Sequence, residues 1–337
     1  MVRLALIGCG RNAAVHLAAA RQVTGATLTA VADLDPERAA QTAQSTGVTV
    51  HARTLDELLA TAADTFDAVI VNTPNDSHGP LAERAARAGK HVLAEKPLAL
   101  TSEAAAATAA TCQQAGVRLM VAQTMRFMAA QREVKQSLDA GELGRPGLLR
   151  IHRWMPLFLG GWKTWKIDPT RNGGMTVHEG VHEIDLALWM FGGIPTQVYA
   201  TARTTRAGGL ELPDYLQMHL GFGDGGMAMI DLAFTMPRGD RYGSLSLIGS
   251  LGTAYADDHH NMQLLYRGGR PNAVKTDSDR LAAALQLDEF VRAITDERQP
   301  AVTGEDARAA LLVAEAVDRS LSAGEAITLV EGRDERA

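Results

Sequence analysis

Cysteine is nearly absent: Cys9 and Cys112 are the only two in 337 residues. Two thiols cannot build a disulfide framework, and their scarcity suits a reducing compartment, which places the chain in the cytoplasm as an expectation. No uninterrupted apolar run approaches the ~20 residues a membrane helix needs. The apolar opening from Met1 to Ile7 is cut by Gly8, far short of a signal peptide's apolar core. An excess of basic charge is also missing. The 33 Lys and Arg are outnumbered by 39 Asp and Glu, for a net charge of -6, so a nucleic-acid surface is not expected. One dinucleotide stays compatible with that balance, because a loop and a helix terminus can hold it locally.

What is present describes a folded protein. Hydrophobic residues make up 46% and charged residues 21%, and the length suits two domains of ordinary size. Up to about residue 123, short aliphatic runs alternate with Ala-rich stretches. Strands are predicted at Leu4–Ile7, Leu28–Ala32, Ala68–Val71, His91–Ala94 and Arg118–Ala122, with helices starting near Asn12, Pro36, Leu55, His78 and Ser102. Continuous apolar strands joined by helices imply a parallel sheet covered on both faces. Thr101 reads as a helix cap, followed by the first-turn carboxylate of Glu103.

From residue 124 the pattern changes. Leu216, Met218, Leu220 and Phe222 alternate with Gln217, His219 and Gly221, which is strand periodicity with one buried face. The turn at Gly223–Gly226 and the run from Met227 to Phe234 complete a hairpin, and Ser244–Ile248 reads as a further strand. Two helices follow, at about Asp279–Ile294 and Gly304–Ala323. The second carries Ala307, Leu311, Ala314, Val317 and Leu321 on one core-facing stripe. The expected division is 1–123 for dinucleotide binding and 124–337 for substrate and subunit contacts.

Gly8-Cys9-Gly10-Arg11-Asn12-Ala13 follows the first strand and opens a helix, the context a dinucleotide loop requires. Gly8 allows the tight turn, Gly10 lets the backbone approach a pyrophosphate, and Ala13 still permits close helix packing. Exposed N–H groups there would face phosphates. Asp33 ends the second strand, where a carboxylate accepts from a ribose 2′-OH and repels a 2′-phosphate. That favours NAD; Arg38, able to swing toward a phosphate, keeps NADP open. The alternative for Asp33 is a helix cap ahead of Pro36. Lys96, in Glu95-Lys96-Pro97, falls at the carboxyl edge of the parallel sheet, where ligands bind in open α/β folds. Standing alone it would read as a surface lysine ending a strand.

These residues together resemble the glucose–fructose oxidoreductase and inositol dehydrogenase family, written Gfo/Idh/MocA. The resemblance spans nearly the whole chain. It runs through Gly8-Cys9-Gly10 with His16, Ala30–Asp33, Thr73-Pro74-Asn75-Asp76-Ser77-His78, Gly89–Val92, Glu95-Lys96-Pro97, Gly173-Gly174 and Gly180–Asp185. It implies an α/β fold: an N-terminal Rossmann domain, then an α/β domain with a large, mostly antiparallel open sheet. It also implies NAD(P)-dependent hydride transfer on a sugar, polyol or related carbonyl compound. The sheet of the second domain is able to pair subunits, so a homodimer or homotetramer is expected. By the same resemblance Thr73, Pro74, Asn75 and His78 line the cofactor cleft. Glu95 and Lys96 sit by the nicotinamide ribose and the substrate, and the bond before Pro97 is often cis. Read without the family, Asn75 and His78 are turn and helix-start residues.

His178 and His182 are four residues apart and share a face if Thr176–Phe191 is helical. Asp185 is close enough in sequence to orient His182. With an ordinary pKa near ~6.5, histidine suits the proton acceptor in oxidation of a secondary alcohol. The expected mechanism has His182 as general base and Lys96 as its hydrogen-bonded partner. Where His178 stands, many members of the resembled family carry an aspartate, so inositol-type specificity does not carry over directly; His178 is a substrate ligand or a packed helix residue. The same stretch spells the His-Glu-x-x-His of zinc proteases, which a missing third ligand and the unexplained dinucleotide half argue against. Asp257–His260 reads as a solvated loop.

Gln123, Arg126 and Phe127 follow the sixth strand, and Arg126 either meets the cofactor and substrate or a backbone carbonyl. Trp154, Trp162 and Trp165 precede the histidine helix, as core or as walls for a sugar ring; Trp162 is the preferred wall. Arg153 and Lys163 are candidates for a substrate carboxylate or phosphate. Two other activities stay open: an NAD-assisted glycoside hydrolase or lyase, and a cofactor-binding sensor, against which Lys96 and His182 argue.

Overall fold

The computed structural model describes residues 1–156, 164–205, 213–236, 241–257, 262–266, 272–275, 279–330 and 333–334. It falls into two compact units. The first holds Met1–Phe127 and, later in the chain, Ser278–Arg308; the second holds Met128–Asp277 and Ala309–Ala337. The sequence suggested a single cut after residue 123. Residues 278–308 join the first unit because their helix packs against the first helix and first strand of the chain.

In the first unit the strands are β1 (Val2–Ile7), β2 (Ala26–Ala32), β3 (Val50–Ala52), β4 (Ala68–Val71), β5 (His91–Ala94) and β6 (Leu119–Val121). The helices between them are α1 (Ala13–Ala20), α2 (Pro36–Thr46), α3 (Leu55–Ala62), α4 (His78–Arg87) and α5 (Ser102–Gln114). All sheet pairs are parallel, in the order β3-β2-β1-β4-β5-β6. This is the doubly wound Rossmann order, which reverses between β1 and β4 and opens a crevice at their carboxyl ends. Leu4, Leu6, Ile70, Val92 and Leu93 are wholly buried, as expected for strands covered on both faces. Local chemistry sets the helix starts. Thr101 Oγ1 accepts from Ala104 N at 3.2 Å and Asp35 Oδ1 accepts from Glu37 N at 3.1 Å, contacts worth ~1 kcal/mol each.

The second unit opens with α6 (Ala129–Asp139), β7 (Pro146–Pro156), α7 (Pro169–Asn172) and a π-helical turn at Thr176–Gly180 that leads into α8 (Val181–Phe191). Then come β8 (Gln197–Arg203), β9 (Tyr215–Gly221), β10 (Met227–Met236), β11 (Tyr242–Gly249), β12 (Thr253–Asp257), β13 (Met262–Tyr266) and β14 (Asn272–Lys275). Helix α9 (Asp279–Thr295) belongs to the first unit, and α10 (Gly304–Ala323), β15 (Ile327–Val330) and β16 (Arg333–Asp334) follow. The sheet runs β14-β13-β12-β11-β7-β10-β9-β8-β15-β16, and among the described pairs only β7 with β10 is parallel. The hairpin predicted at 223–226 is the β9–β10 turn.

Two-residue alternation gives this sheet two different faces. Leu149, Ile151, Leu216, Met218, Ile230, Leu232, Leu245 and Leu247 are buried on the face that α8 and the π turn cover. One register row of the other face runs Tyr199, His219, Met229, Arg150, Ser246 and Tyr255 across six strands. Among the described residues, no helix is long and apolar enough to cross a membrane.

Candidate active site

The glycine loop is fixed from below and open above. Gly8 has φ +94°, and a Cβ placed on it would run into the Asn72 carbonyl oxygen. Only glycine meets both conditions without strain. Gly10 differs: a Cβ built there meets nothing within 4 Å. That open space lies at the loop leading into α1 and is the room a pyrophosphate requires. The residues present therefore fit a dinucleotide.

Asp33 closes the loop from the β2 side. One of its oxygens accepts from Cys9 N at 2.8 Å, the other from Asp35 N at 2.9 Å, and Arg38 Nη1 lies 3.3 Å away. It is not the cap of α2; that role falls to Asp35. Arg38 is also within 3.2 Å of Asp35, so its guanidinium rests between two carboxylates.

At the other side of the crevice, Glu95 follows β5 and is largely buried. Its Oε1 lies 2.8 Å from His16 Nε2 on α1 and accepts from Asn12 Nδ2 at 2.9 Å. Asn12 Nδ2 also reaches Asn72 Oδ1 at 2.9 Å, and Asn72 Nδ2 donates to the Gly8 carbonyl at 2.8 Å. Burial would raise the Glu95 carboxyl, but the His16 hydrogen bond and the charges of His16, His78 and Lys96 outweigh it. The carboxyl is held below its ordinary value. A buried carboxylate thus joins the glycine loop to the strand end that carries Lys96, and the Lys96–Pro97 bond is cis.

His78 does not line a cleft. It is 1% exposed, with Nδ1 2.7 Å from the Pro97 carbonyl oxygen and Nε2 2.7 Å from that of Thr73. Both ring nitrogens are spent on backbone, so the cofactor contact expected of His78 is replaced by a scaffold contact. Asn75, in a 3-10 turn ahead of α4, is also buried, whereas Thr73 and Pro74 remain half-buried at the strand end. Arg11 is exposed on the loop.

In the second unit, His178 falls within the π turn and His182 in the first turn of α8, so no single α-helix spans both. A π turn inserts a residue into the α-helical register, which periodicity cannot reveal. His178 is 7% exposed, stacks edge-on to Trp165 with centroids 5.6 Å apart, and has Nε2 3.5 Å from Glu179 Oε1. His182 is half-buried and Asp185 fully buried.

Arg153 takes a different role from the one its charge suggested. Its Nε donates to Glu183 Oε1 at 2.5 Å, Nη1 to Glu179 Oε2 at 2.9 Å, and Nη2 to the Glu179 carbonyl at 3.0 Å. Pleat alternation puts Arg153 on the same sheet face as Leu149 and Ile151, beneath the π turn and α8. Burial would lower its pKa, but Glu183 and Glu179 raise it well above the ordinary arginine value. The guanidinium is consumed in anchoring the histidine segment. Glu179, the central acid of the His-Glu-x-x-His spelling, is likewise committed to Arg153. Neither Glu179 nor Glu183 stands out in the sequence, because the π turn that brings both to Arg153 leaves no residue pattern.

Arg126 is similarly committed. It is 6% exposed and pairs with Asp306 at 3.1 Å, with the Ala301 carbonyl 3.5 Å away. Trp154 lies on the sheet face opposite α8, packed with His152 and Tyr242. Trp162 and Lys163 lie outside the described residues, as do Asp258, His259 and His260.

A glycine loop at the switch point of a doubly wound sheet, followed by a unit built on a large mixed sheet, defines a dinucleotide-dependent oxidoreductase. Comparison with known proteins gives the same class. Residues 2–123 match the oxidoreductase family with an NAD-binding Rossmann fold, and residues 131–255 match the GFO/IDH/MocA C-terminal domain. Inositol 2-dehydrogenase of Rhizobium meliloti is 31% identical, over 95% of this chain and 97% of that protein. The 1,5-anhydro-D-fructose reductase of Ensifer adhaerens is 28% identical over 98% and 100%. The solved WlbA dehydrogenase of Bordetella pertussis, in complex with NADH and UDP-GlcNAcA, is 25% identical and covers 98% of each chain at a TM-score of 0.85. This chain belongs to the Gfo/Idh/MocA family of oxidoreductases, and its first unit is an NAD-binding Rossmann domain.

Proposed function

We propose that this oxidoreductase interconverts a secondary alcohol and a carbonyl on a sugar, a polyol or a sugar-derived acid. The observation that carries the reading is the placement of Lys96. It directly follows a carboxylate tied both to Asn12 of the dinucleotide loop and to His16 of the helix that loop opens, so its backbone is registered to the cofactor site. Bound NAD supplies the hydride acceptor. Lys96 hydrogen-bonds the substrate hydroxyl, and His182 takes its proton as general base. His178, backed by Glu179, contributes a further hydrogen bond to the substrate. The relatives named above act, by their names, on an inositol and an anhydro sugar, and the WlbA dehydrogenase was solved with a nucleotide-sugar acid. Their common feature is a ring bearing several hydroxyl groups.

NAD is preferred to NADP in this reading, because a 2′-phosphate would meet Asp33 and would have to draw Arg38 from two carboxylates. Within the glycine loop, Gly8, Gly10, Arg11 and Asn12 serve the cofactor, with Thr73 and Pro74 opposite. The division of labour assigns the first unit, 1–127 with 278–308, to the dinucleotide and the second unit to substrate and to a second copy of the chain. A homodimer or homotetramer accounts for the apolar side chains on the outer sheet face, where Tyr199, Met227, Met229, Ile248 and Tyr255 are exposed. The cytoplasm suits two buried, unbridged thiols.

The test is NADH absorbance across a panel of inositols, sugars and sugar acids, each offered with NAD and with NADP. Sustained NADH from one compound establishes the activity and its substrate class. A flat panel, with NAD binding verified separately, removes the hydroxyl-bearing ring as the substrate class.

A further inference from the structure

His78 occupies an uncommon position: a wholly buried ring whose two nitrogens each face a backbone carbonyl oxygen at 2.7 Å. A neutral imidazole has one N–H and one bare lone pair, whereas the imidazolium has two N–H groups. In either neutral tautomer, a nitrogen lone pair would be pressed against a carbonyl oxygen. A half-turn of the ring would leave both carbonyl oxygens facing C–H groups and lose both hydrogen bonds. Neither carbonyl is loose. Thr73 leaves β4 in the middle of the sheet, and the Pro97 ring is fully buried.

Two opposing influences act on the ring. Burial, the largest influence, acts with Lys96 to hold its pKa below the ordinary histidine value, while the two carbonyls and Glu95 oppose that shift and favour the charged ring. Glu95 and Lys96 are the charged groups that act on it. The placement argues against the effect of burial, because two carbonyl oxygens within hydrogen-bond reach of both nitrogens are matched only by a ring that carries two N–H groups. We propose that His78 is a buried imidazolium that donates to the Thr73 and Pro97 carbonyls at once, and that it thereby positions Lys96.

The location gives this arrangement a purpose. Lys96 stands between two neighbours that are each held by a histidine: Glu95 by His16 from α1, and Pro97 by His78 from α4. His78 also ties the Pro97 segment to Thr73, so the ends of β4 and β5 are joined across adjacent strands. His78 is a positioning residue, acting through the backbone on either side of Lys96 without touching the reacting atoms. The catalytic part of this inference rests on the role proposed above for Lys96; the protonation state of the ring does not.

The experiment has two arms. Nitrogen NMR of the full-length protein with labelled histidine reads the ring directly. Two protonated nitrogens at neutral pH, persisting above the ordinary histidine range, are expected; one bare nitrogen overturns the imidazolium. The second arm uses His78→Gln and His78→Asn, which each keep one donor and lose the other. Each is expected to bind NAD within about twofold of the parent and to lose about tenfold or more in kcat with little change in KM. Unchanged kcat in a folded variant overturns the positioning role. If Lys96→Ala also leaves turnover unchanged, the catalytic reading of Lys96 fails, while the NMR result still decides the state of His78.

Discussion

Nε2 of His16, on the first helix, lies 2.8 Å from Oε1 of Glu95, at the end of the fifth strand. The pair links the dinucleotide loop to the segment bearing Lys96, and it holds the Glu95 carboxyl below its ordinary pKa against the opposing effect of burial. A carboxyl depressed on folding stabilises the fold above its unfolded value of ~4.3 and loses that stabilisation as the pH falls through the folded value. Asp67, beside Arg3, and Glu289, beside Arg298, are shifted in the same direction. Urea unfolding followed from neutral to acid pH should therefore show stability falling below about pH 4. Glu95→Gln should cost about 1–3 kcal/mol at neutral pH, where the parent's charged hydrogen bonds are intact, and should fall less steeply with acid. A variant with the parent's acid slope would remove Glu95 from the effect.

The two loop glycines separate structure from binding. Gly8→Ala places a Cβ on the Asn72 backbone at a positive φ, so destabilisation of about 2 kcal/mol or more is expected. Gly10→Ala meets only open space. It should melt within a degree or two of the parent, or slightly higher, because alanine restricts the unfolded chain. Its NAD affinity, read by calorimetry, should nevertheless fall at least about tenfold, since the methyl group occupies the pyrophosphate's room. Unaltered affinity in Gly10→Ala would place the phosphates elsewhere.

Lys96→Ala should lower kcat by about a hundredfold or more and change NAD affinity little, because the interaction it removes is strongest in the transition state. Steady-state kinetics beside a direct binding measurement checks this. Turnover near that of the parent would take Lys96 out of the mechanism.

The sequence reveals the first unit more fully than the second, for physical reasons. Parallel strands buried on both faces leave uninterrupted aliphatic runs, so β1, β2, β4, β5 and β6 could be read within two residues of their ends. Strand β3, Val50–Ala52, is three residues long at the sheet edge and leaves no such run. The Gly8 and Gly10 spacing reports the loop because its backbone geometry depends on residue type at each position. The return of 278–308 to the first unit was not legible, since a helix's apolar stripe does not say which partner covers it. The π turn was hidden for a similar reason: it is a hydrogen-bond register and not a residue pattern. Arginine proved the least readable residue type. Arg153 looked available to an anion, and Arg126 either to cofactor and substrate or to a backbone carbonyl such as the Ala301 oxygen it reaches, but their carboxylate partners are 30 and 180 residues away in sequence.

Arg153 therefore supplies a sharp test of scaffold against ligand. Glu183 is wholly buried, and Glu179 spends one oxygen on the guanidinium and presents the other to His178. Removing the cation leaves two buried carboxylates without their counter-charge, a loss typically costing about 3–5 kcal/mol. Arg153→Met is thus expected to unfold at markedly lower urea concentration than the parent at neutral pH. The sign of its pH dependence follows. Burial already raises the folded pKa of Glu183 in the parent against the opposing pull of Arg153; with the arginine gone that rise grows, so the variant is most stable when Glu183 is protonated and weakens more steeply than the parent as the pH rises through the raised value. Adding Glu179→Gln and Glu183→Met to Arg153→Met should recover most of the loss, because an apolar replacement of a buried ion triad is often tolerated. A substrate-binding Arg153 would behave in the opposite way: the single variant would melt like the parent at every pH and show only a raised KM.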